Sequence, residues 1–509
     1  MSIINSLIKT YLKPRIGRIE HATHHAEAVQ RKTLQYLVHK ARATEWGKIH
    51  KYQNIHSKGD FIKNVPVSAY EQIKPYIQRT FEGEQNVLWP DTIRWFSKSS
   101  GTTDGKSKYI PVSRDALEYT HYRSGKDVTA MFLKNHPFTE IFGGKCLMLT
   151  GSVSPNPNFK NAWNGDISGV LVKRLPNWIN FLRTPNRDIA LMSNWEEKIE
   201  CILSSTAHVD VRYIGGVPSW MLVLLNKVLE STGKSDIREI WPNLQLFIHG
   251  AVNFGPYRAP FKQLIPHADM YYYETYNASE GFFALQDNDN PGEMRLMVDY
   301  GIYFEFIPMD EVHLENPRSL TLREIELDTN YAVVISTNAG LWRYMIGDTV
   351  KFTSKKPYRL VVSGRTKHFI NAFGEELMVE NAERAIDYAC LRTRSQIKEF
   401  TAAPVYLSSK ASGAHEWLIE FEKEPEDMET FINILDDKLK EVNSDYEAKR
   451  KGDYILKRPL VQVLPKGSFY AWMKFKGKLG AQQKVPRLQN DREQLEEILK
   501  IAEENAKQV

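Results

Sequence analysis

Ser97-Lys-Ser-Ser-Gly-Thr-Thr-Asp-Gly-Lys-Ser-Lys108 packs two glycines and a run of hydroxyl-bearing and cationic side chains into one short stretch. Glycine lets the backbone come close to an anion, hydroxyls and amide N–H groups donate to it, and lysine offsets its charge. A polyphosphate is the natural guest. The stretch lies between Thr92-Ile-Arg-Trp-Phe96 and Tyr109-Ile-Pro-Val112, both of which read as strands, so a polar loop is expected between stiff walls.

The nucleotide-binding P-loop is the closest general motif, and this stretch misses it. That motif has four residues between its first glycine and Gly-Lys-Ser/Thr, whereas only Thr102, Thr103 and Asp104 separate Gly101 from Gly105. The stretch also leads into a strand, so it lacks the helix N-terminus that completes a P-loop. On residue types alone, a Ser/Thr/Gly hairpin without a ligand competes with a phosphate loop.

Composition narrows the class. A chain of 509 residues exceeds a single core and implies at least two domains. Its 67 basic residues are interspersed with 62 acidic ones, which argues against a nucleic-acid stripe. Cys146, Cys201 and Cys390 lie far apart, excluding a zinc or disulfide framework by spacing and fitting a reducing compartment. No apolar run approaches about 18 residues, the length of a membrane span, and no signal sequence opens the chain. The expectation is a cytoplasmic protein without membrane or nucleic-acid partners. Without a repeating apolar seam, monomer is the default.

The elements that must position the loop follow from periodicity. Leu34, Leu37, Val38 and Ala41 mark one buried helical face, and His24 and His25 before it read as a solvated start. Ser113 is placed to cap a helix reaching about Lys134. Apolar runs at Lys145–Thr150, Val209–Ile214, Leu244–Ile248 and Met270–Tyr273 predict strands. Between the second and third, a helix opens at Pro218 and ends at Gly233. This alternation predicts an α/β layer structure. From Tyr300 to Phe352 strands come with little helix, predicting antiparallel sheet or barrel. Ser363-Gly-Arg-Thr-Lys-His368 is the boundary candidate, after which helices near Glu380 and Glu426–Val442, strands near Val405, Trp417–Phe421 and Leu460–Leu464, and a terminal helix from Asp491 form an α+β unit.

Four separated motifs resemble the acyl-acid amido synthetases of the Gretchen Hagen (auxin-responsive promoter) family, a branch of the adenylate-forming superfamily. They are Ser99-Ser-Gly-Thr-Thr-Asp-Gly-Lys-Ser-Lys108, Tyr276-Asn-Ala-Ser-Glu280, Tyr344-Met-Ile-Gly-Asp348 and Gly480-Ala-Gln-Gln-Lys-Val-Pro-Arg487. The third departs from the family's Tyr-Arg-Val-Gly-Asp at Met345, and Arg343 is one residue out of register to substitute for the arginine. Ser363-Gly-Arg-Thr-Lys-His-Phe-Ile-Asn371 is similar to the superfamily's hinge, with Lys367 at the hinge position.

The resemblance implies a large N-terminal domain of α/β sheets with a small β-barrel, residues 1–365, and a smaller mobile α+β cap, residues 366–509. It implies ATP and Mg²⁺, a carboxylic acid substrate and an amine acceptor, an amino acid. Acyl transfer to a thiol such as coenzyme A, and a nucleotide- or acyl-binding protein without turnover, are the alternatives. Ser99, Ser100, Gly101, Thr102, Thr103 and Lys108 would hold the outer phosphates, although Lys108 also reads as a solvated strand start. Tyr276, Asn277, Ala278 and Ser279 would face the adenine, although Tyr276 also fits a core. Asp348 would accept the ribose hydroxyls. Arg365 would contact phosphate or ribose, and Glu280 would hold Mg²⁺. Lys484 would be catalytic, stabilising the charge that grows as carboxylate meets α-phosphate, although its basic loop alone reads as a solvated face.

Overall fold

A computed structural model describes residues 3–99, 108–251, 254–314, 316–366, 369–370, 372–373, 375, 377–407, 412–450, 456–477, 484–489 and 491–506. It divides into two compact units, one of Met1–Phe254 with Phe261–Val362 and a second built chiefly on Ser363–Leu479. Among the described residues, no helix is long and apolar enough to cross a membrane.

The first unit opens with helices Ile3–His24 and Ala26–Ala41. The second helix buries Leu34, Leu37, Val38 and Ala41, the face that periodicity marks. It also buries Gln30, whose amide donates to the Val298 and Ile302 carbonyls at 2.9 and 2.8 Å and accepts from Phe304 N at 2.8 Å. A buried polar group is tolerated when its bonds are met. The bonds to Ile302 and Phe304 fasten the helix to the edge strand Ile302–Pro308, and the one to Val298 holds the chain just before it.

Among the described residues, a sheet of eleven strands runs through this unit. One half is parallel: Arg183–Thr184, Lys145–Met148, Val211–Gly216, Leu246–Gly250 and Tyr271–Ala278 lie side by side. Helices Trp195–Thr206, Pro218–Thr232 and Gly255–Leu264 connect successive strands. Pro218 stands in the first turn of its helix and Gly233 ends it at φ +66°, as the sequence predicts. Past Tyr271–Ala278 the chain turns back and the sheet becomes antiparallel, including the Ile302–Pro308, Asn330–Thr337 and Tyr344–Lys355 strands expected between Tyr300 and Phe352. Ser113 Oγ accepts from Ala116 N at 2.9 Å, capping the helical stretch that ends at Asn135.

The second unit packs helices Val379–Thr393 and Met428–Val442 with a sheet of Gln396–Leu407, Ser412–Lys423 and Leu460–Leu464. Phe400, Trp417 and Ile419 from the sheet share a core with Ala385, Ala389, Leu435 and Leu439. Asp427 caps the second helix by accepting from Glu429 N and Thr430 N. Helices Ser468–Phe475 and Glu493–Ala506 complete it, the first of which periodicity did not reveal.

Candidate functional site

Trp95–Ser99 and Lys108–Val112 form the antiparallel walls expected around the first motif, with Ser99 opposite Lys108. The strand before the motif starts three residues later than Thr92 and continues to Ser99, so the motif's first serine belongs to the wall. Ser100, Gly101, Thr102 and Thr103 lie outside the described residues. The Lys108 ammonium lies over the Tyr70 ring, 5.3 Å from its centroid, and Tyr70 Oη accepts from Tyr109 N at 3.1 Å. Lys108 is thus half-buried rather than a fully solvated strand start.

The second motif ends the last parallel strand. Tyr276, Asn277 and Ala278 close Tyr271–Ala278, and Ser279 and Glu280 make the turn into Gly281–Leu285. Open α/β sheets bind ligands outside the carboxyl ends of their strands, where this turn sits. Alongside, a methyl group on Gly250 would lie 2.4 Å from the Thr275 carbonyl oxygen and 2.7 Å from its hydroxyl, so only glycine lets the two strand ends meet. Ala251, next in the chain, has φ +75°, a left-handed conformation that costs a non-glycine residue about 1–2 kcal/mol. Such strain clusters at functional sites.

Tyr276 is 7 % exposed, and its ring meets Phe283 edge-on at 4.9 Å. Its hydroxyl donates to Asp348 Oδ2 at 2.9 Å. The second and third motifs, seventy-two residues apart, therefore converge on one hydrogen bond. The ring belongs to the core, and the tyrosine reaches the site through its hydroxyl.

Asp348 is displaced from regular pairing. Ala332 faces Thr349 and Val334 faces Met345, so two steps on Asn330–Thr337 are matched by four on Tyr344–Lys355. Ile346, Gly347 and Asp348 therefore stand against Val333 alone, with Gly347 at φ +87°. Bulges of this kind re-aim a side chain. Arg343 does not supply the missing family arginine. It is buried, donates to Glu305 at 3.0 Å and to the Val65 carbonyl at 2.7 Å, and so braces the sheet.

Glu280 is half-buried at the turn. Among the described residues no group of three or more His, Cys, Asp or Glu is arranged to hold a metal. A single hard carboxylate suits Mg²⁺, which takes its other ligands from water and substrate phosphates. In the second unit Arg365 ends Tyr358–Arg365 half-buried, and Lys367 lies outside the described residues. Lys484 is exposed on an extended stretch with its successors Val485 and Leu488 buried. The sequence reading missed Gly250 and Ala251, which follow an apolar run and carry no reactive group. A His-Gly-Ala sequence at the end of a buried strand is the signal that could have found them.

Three models of one family match the chain: the GH3 family N-terminal domain over residues 15–270, its central domain over 295–365 and its C-terminal domain over 380–493. An indole-3-acetic acid-amido synthetase of Arabidopsis thaliana, GH3.3, is 24% identical, the match covering 92% of this chain and 90% of the relative. A jasmonoyl-L-amino acid synthetase of Oryza sativa subsp. japonica, GH3.5, is also 24% identical, over 93% and 94%. The structure of an acyl acid amido synthetase, GH3.15, in complex with 2,4-DB superimposes with a TM-score of 0.81 at 19% identity, covering 98% of this chain and 96% of that one. With models of all three of its domains matched in order and the first alone spanning half the sequence, this chain belongs to the GH3 family.

Proposed function

We propose that this protein is a ligase, an acyl-acid amido synthetase that uses ATP and Mg²⁺ to join a carboxylic acid to the amino group of an amino acid. The hydrogen bond between Tyr276 and Asp348 at the carboxyl edge of the sheet carries this reading most directly. It holds beside a buried ring a carboxylate, the kind of group whose oxygens suit a ribose diol. The relatives named as an indole-3-acetic acid-amido synthetase and a jasmonoyl-L-amino acid synthetase support the acceptor.

In the first half-reaction a carboxylate oxygen attacks the α-phosphorus of ATP and pyrophosphate leaves. Two anions must approach, so the protein's work is positioning and charge stabilisation. Residues 1–365 would form the substrate-binding domain, with Ser99, Ser100, Gly101, Thr102, Thr103 and Lys108 along the outer phosphates, and Tyr276, Asn277, Ala278 and Ser279 beside the adenine. Asp348 would hold the ribose, Arg365 would add a phosphate or ribose contact, and Glu280 would bind Mg²⁺, whose charge offsets that of the phosphates. Residues 366–509 would form a cap turning about Lys367 and bringing Lys484 to the carboxylate and α-phosphate. In the second half-reaction the amine nitrogen attacks the acyl carbon, the acyl C–O bond breaks with its electron pair leaving on AMP, and the nitrogen gives up a proton. Free Cys146, Cys201 and Cys390 fit a cytoplasmic enzyme. The absence of a repeating apolar seam in the sequence fits a monomer.

Pyrophosphate release from ATP across a panel of carboxylic acids, beginning with indole-3-acetic, jasmonic and substituted benzoic acids, tests the proposal. Release should require an acid and Mg²⁺, and mass spectrometry should find an amide once amino acids are added. ATP binding without release for any acid would overturn the enzyme reading, and a coenzyme A thioester would overturn the acceptor.

A further inference from the structure

Lys484 lies beside residues 485–489, which are strapped to one strand of the second unit. Ala402 N donates to the Arg487 carbonyl at 2.9 Å, and Gln489 N donates to the Ala402 carbonyl at 3.0 Å. Thr401 Oγ1 donates to the Pro486 carbonyl at 2.6 Å and accepts from Gln489 Nε2 at 3.0 Å. Val485 and Leu488 are buried, so backbone and apolar side chains together fix the path of the segment.

The Arg487 side chain does more than this strap needs. It lies 4.5 Å over the Phe400 ring and donates to the Phe400 carbonyl at 3.2 Å. Glu399 of the same strand contacts its Nη1 closely, and Glu383 of the Val379–Thr393 helix approaches its Nε at 3.8 Å. Asp387, one helical turn beyond Glu383, feels the same guanidinium. Burial, then the neighbouring Glu383 charge, push its carboxyl up to about 7, against the opposing pull of Arg487. Three carboxylates from a helix and a strand thus surround one cation on the segment that leads from Lys484.

We propose that Arg487 is a positioning residue for Lys484, its guanidinium locking the register of the segment against Glu383 and Glu399. Two residues, Val485 and Pro486, separate them, so the three chain steps span about 10 Å at most. A one-residue slip would therefore carry the Lys484 ammonium about 3 Å along the strand. Misplacement of that size is costly, since about 1 Å can cost on the order of 10²-fold in rate. The inference rests on the reading of Lys484 as the cation of the adenylation step.

A double-mutant cycle on acid-dependent pyrophosphate release by the full-length protein tests it, using whichever acid in the panel supports wild-type turnover. Arg487→Gln should lower kcat about 10- to 100-fold while leaving KM for ATP and acid within about threefold. In the Lys484→Ala background the same change should have no further effect, because there is no ammonium left to place. Arg487→Lys, which keeps the charge but not the planar fork, should recover part of the rate. If Arg487→Gln does not fold, Glu383→Gln combined with Glu399→Gln loosens the same clamp and should show the same loss and the same dependence on Lys484. Equal slowing with and without Lys484, or none in either, overturns the positioning role while leaving Lys484 in place. A Lys484→Ala protein as fast as wild type instead removes the reading beneath it.

Discussion

Asp348 sits within a sheet and Lys484 on a stretch laid along one, and the means that fix them differ. The carboxylate is set by a bulge, by Gly347 at φ +87° and by the hydroxyl of a core tyrosine. All three belong to the folded sheet and are in place before any ligand arrives. Lys484 is exposed, and the segment that follows it is held by bonds two to five residues downstream. The contrast is one of tolerance. A group proposed to bind gains from rigidity, whereas one proposed to act in one step of a sequence can ride on a segment whose register is fixed at one end.

The comparison is tested most severely at Lys484. Removing one preorganised cation from the transition state costs about 10²–10³ in rate, so Lys484→Ala should lose that much pyrophosphate release with ATP affinity nearly intact. A comparable rise in the Kd for ATP would place the lysine among the binding groups and erase the distinction. Asp348→Ala should show the reverse, a Kd for ATP raised about tenfold or more by loss of a charge-assisted hydrogen bond, read by calorimetry. Unchanged binding would remove Asp348 from the ribose. Tyr276→Phe deletes only the hydroxyl, and a smaller rise of about three- to tenfold is expected. A loss equal to that of Asp348→Ala would mean that the tyrosine itself touches the nucleotide.

The smallest effect concerns stability. In the folded second unit Asp387 titrates at about 7 against an ordinary 3.8. Between those values the folded state keeps a proton that the unfolded chain has lost, so stability is full below about pH 4 and falls as pH rises to about 7. Glu383, Arg487 and Cys390 are the titratable or charged groups that face this carboxyl. Asp387→Asn should flatten the dependence, raising Tm by about 2–4 °C at pH 8 and leaving it unchanged at pH 4. Equal shifts at both pH values would show that the aspartate acts through packing.

Tyr276 and Asp348 show how far sequence can be read here. Each lies in a motif that the family resemblance marks, yet the bond joining them depends on a register irregularity that no periodicity encodes. The parallel half of the sheet was legible because its strands are apolar runs separated by helix signals such as Pro218 and Gly233. Gly250 was not, because what matters there is the closeness of Thr275 on another strand. Arg487 was visible as part of a motif, but its chemistry is set by Glu383 on a helix about a hundred residues earlier. Arg343 illustrates the converse. One residue out of register with the family's arginine, it is buried beside Glu305 and braces the sheet.

Gly250 also bears on how variation in this protein should be understood. With Thr275 pressed against its α-carbon, the position selects by volume, and polarity and charge are irrelevant there. In a saturation library every other amino acid should be depleted at Gly250, alanine included, whereas Ser279, in the turn just past the neighbouring strand, should sort its replacements by chemistry. A variant found at the first position would report on folding of the strand ends, and one at the second on what they hold.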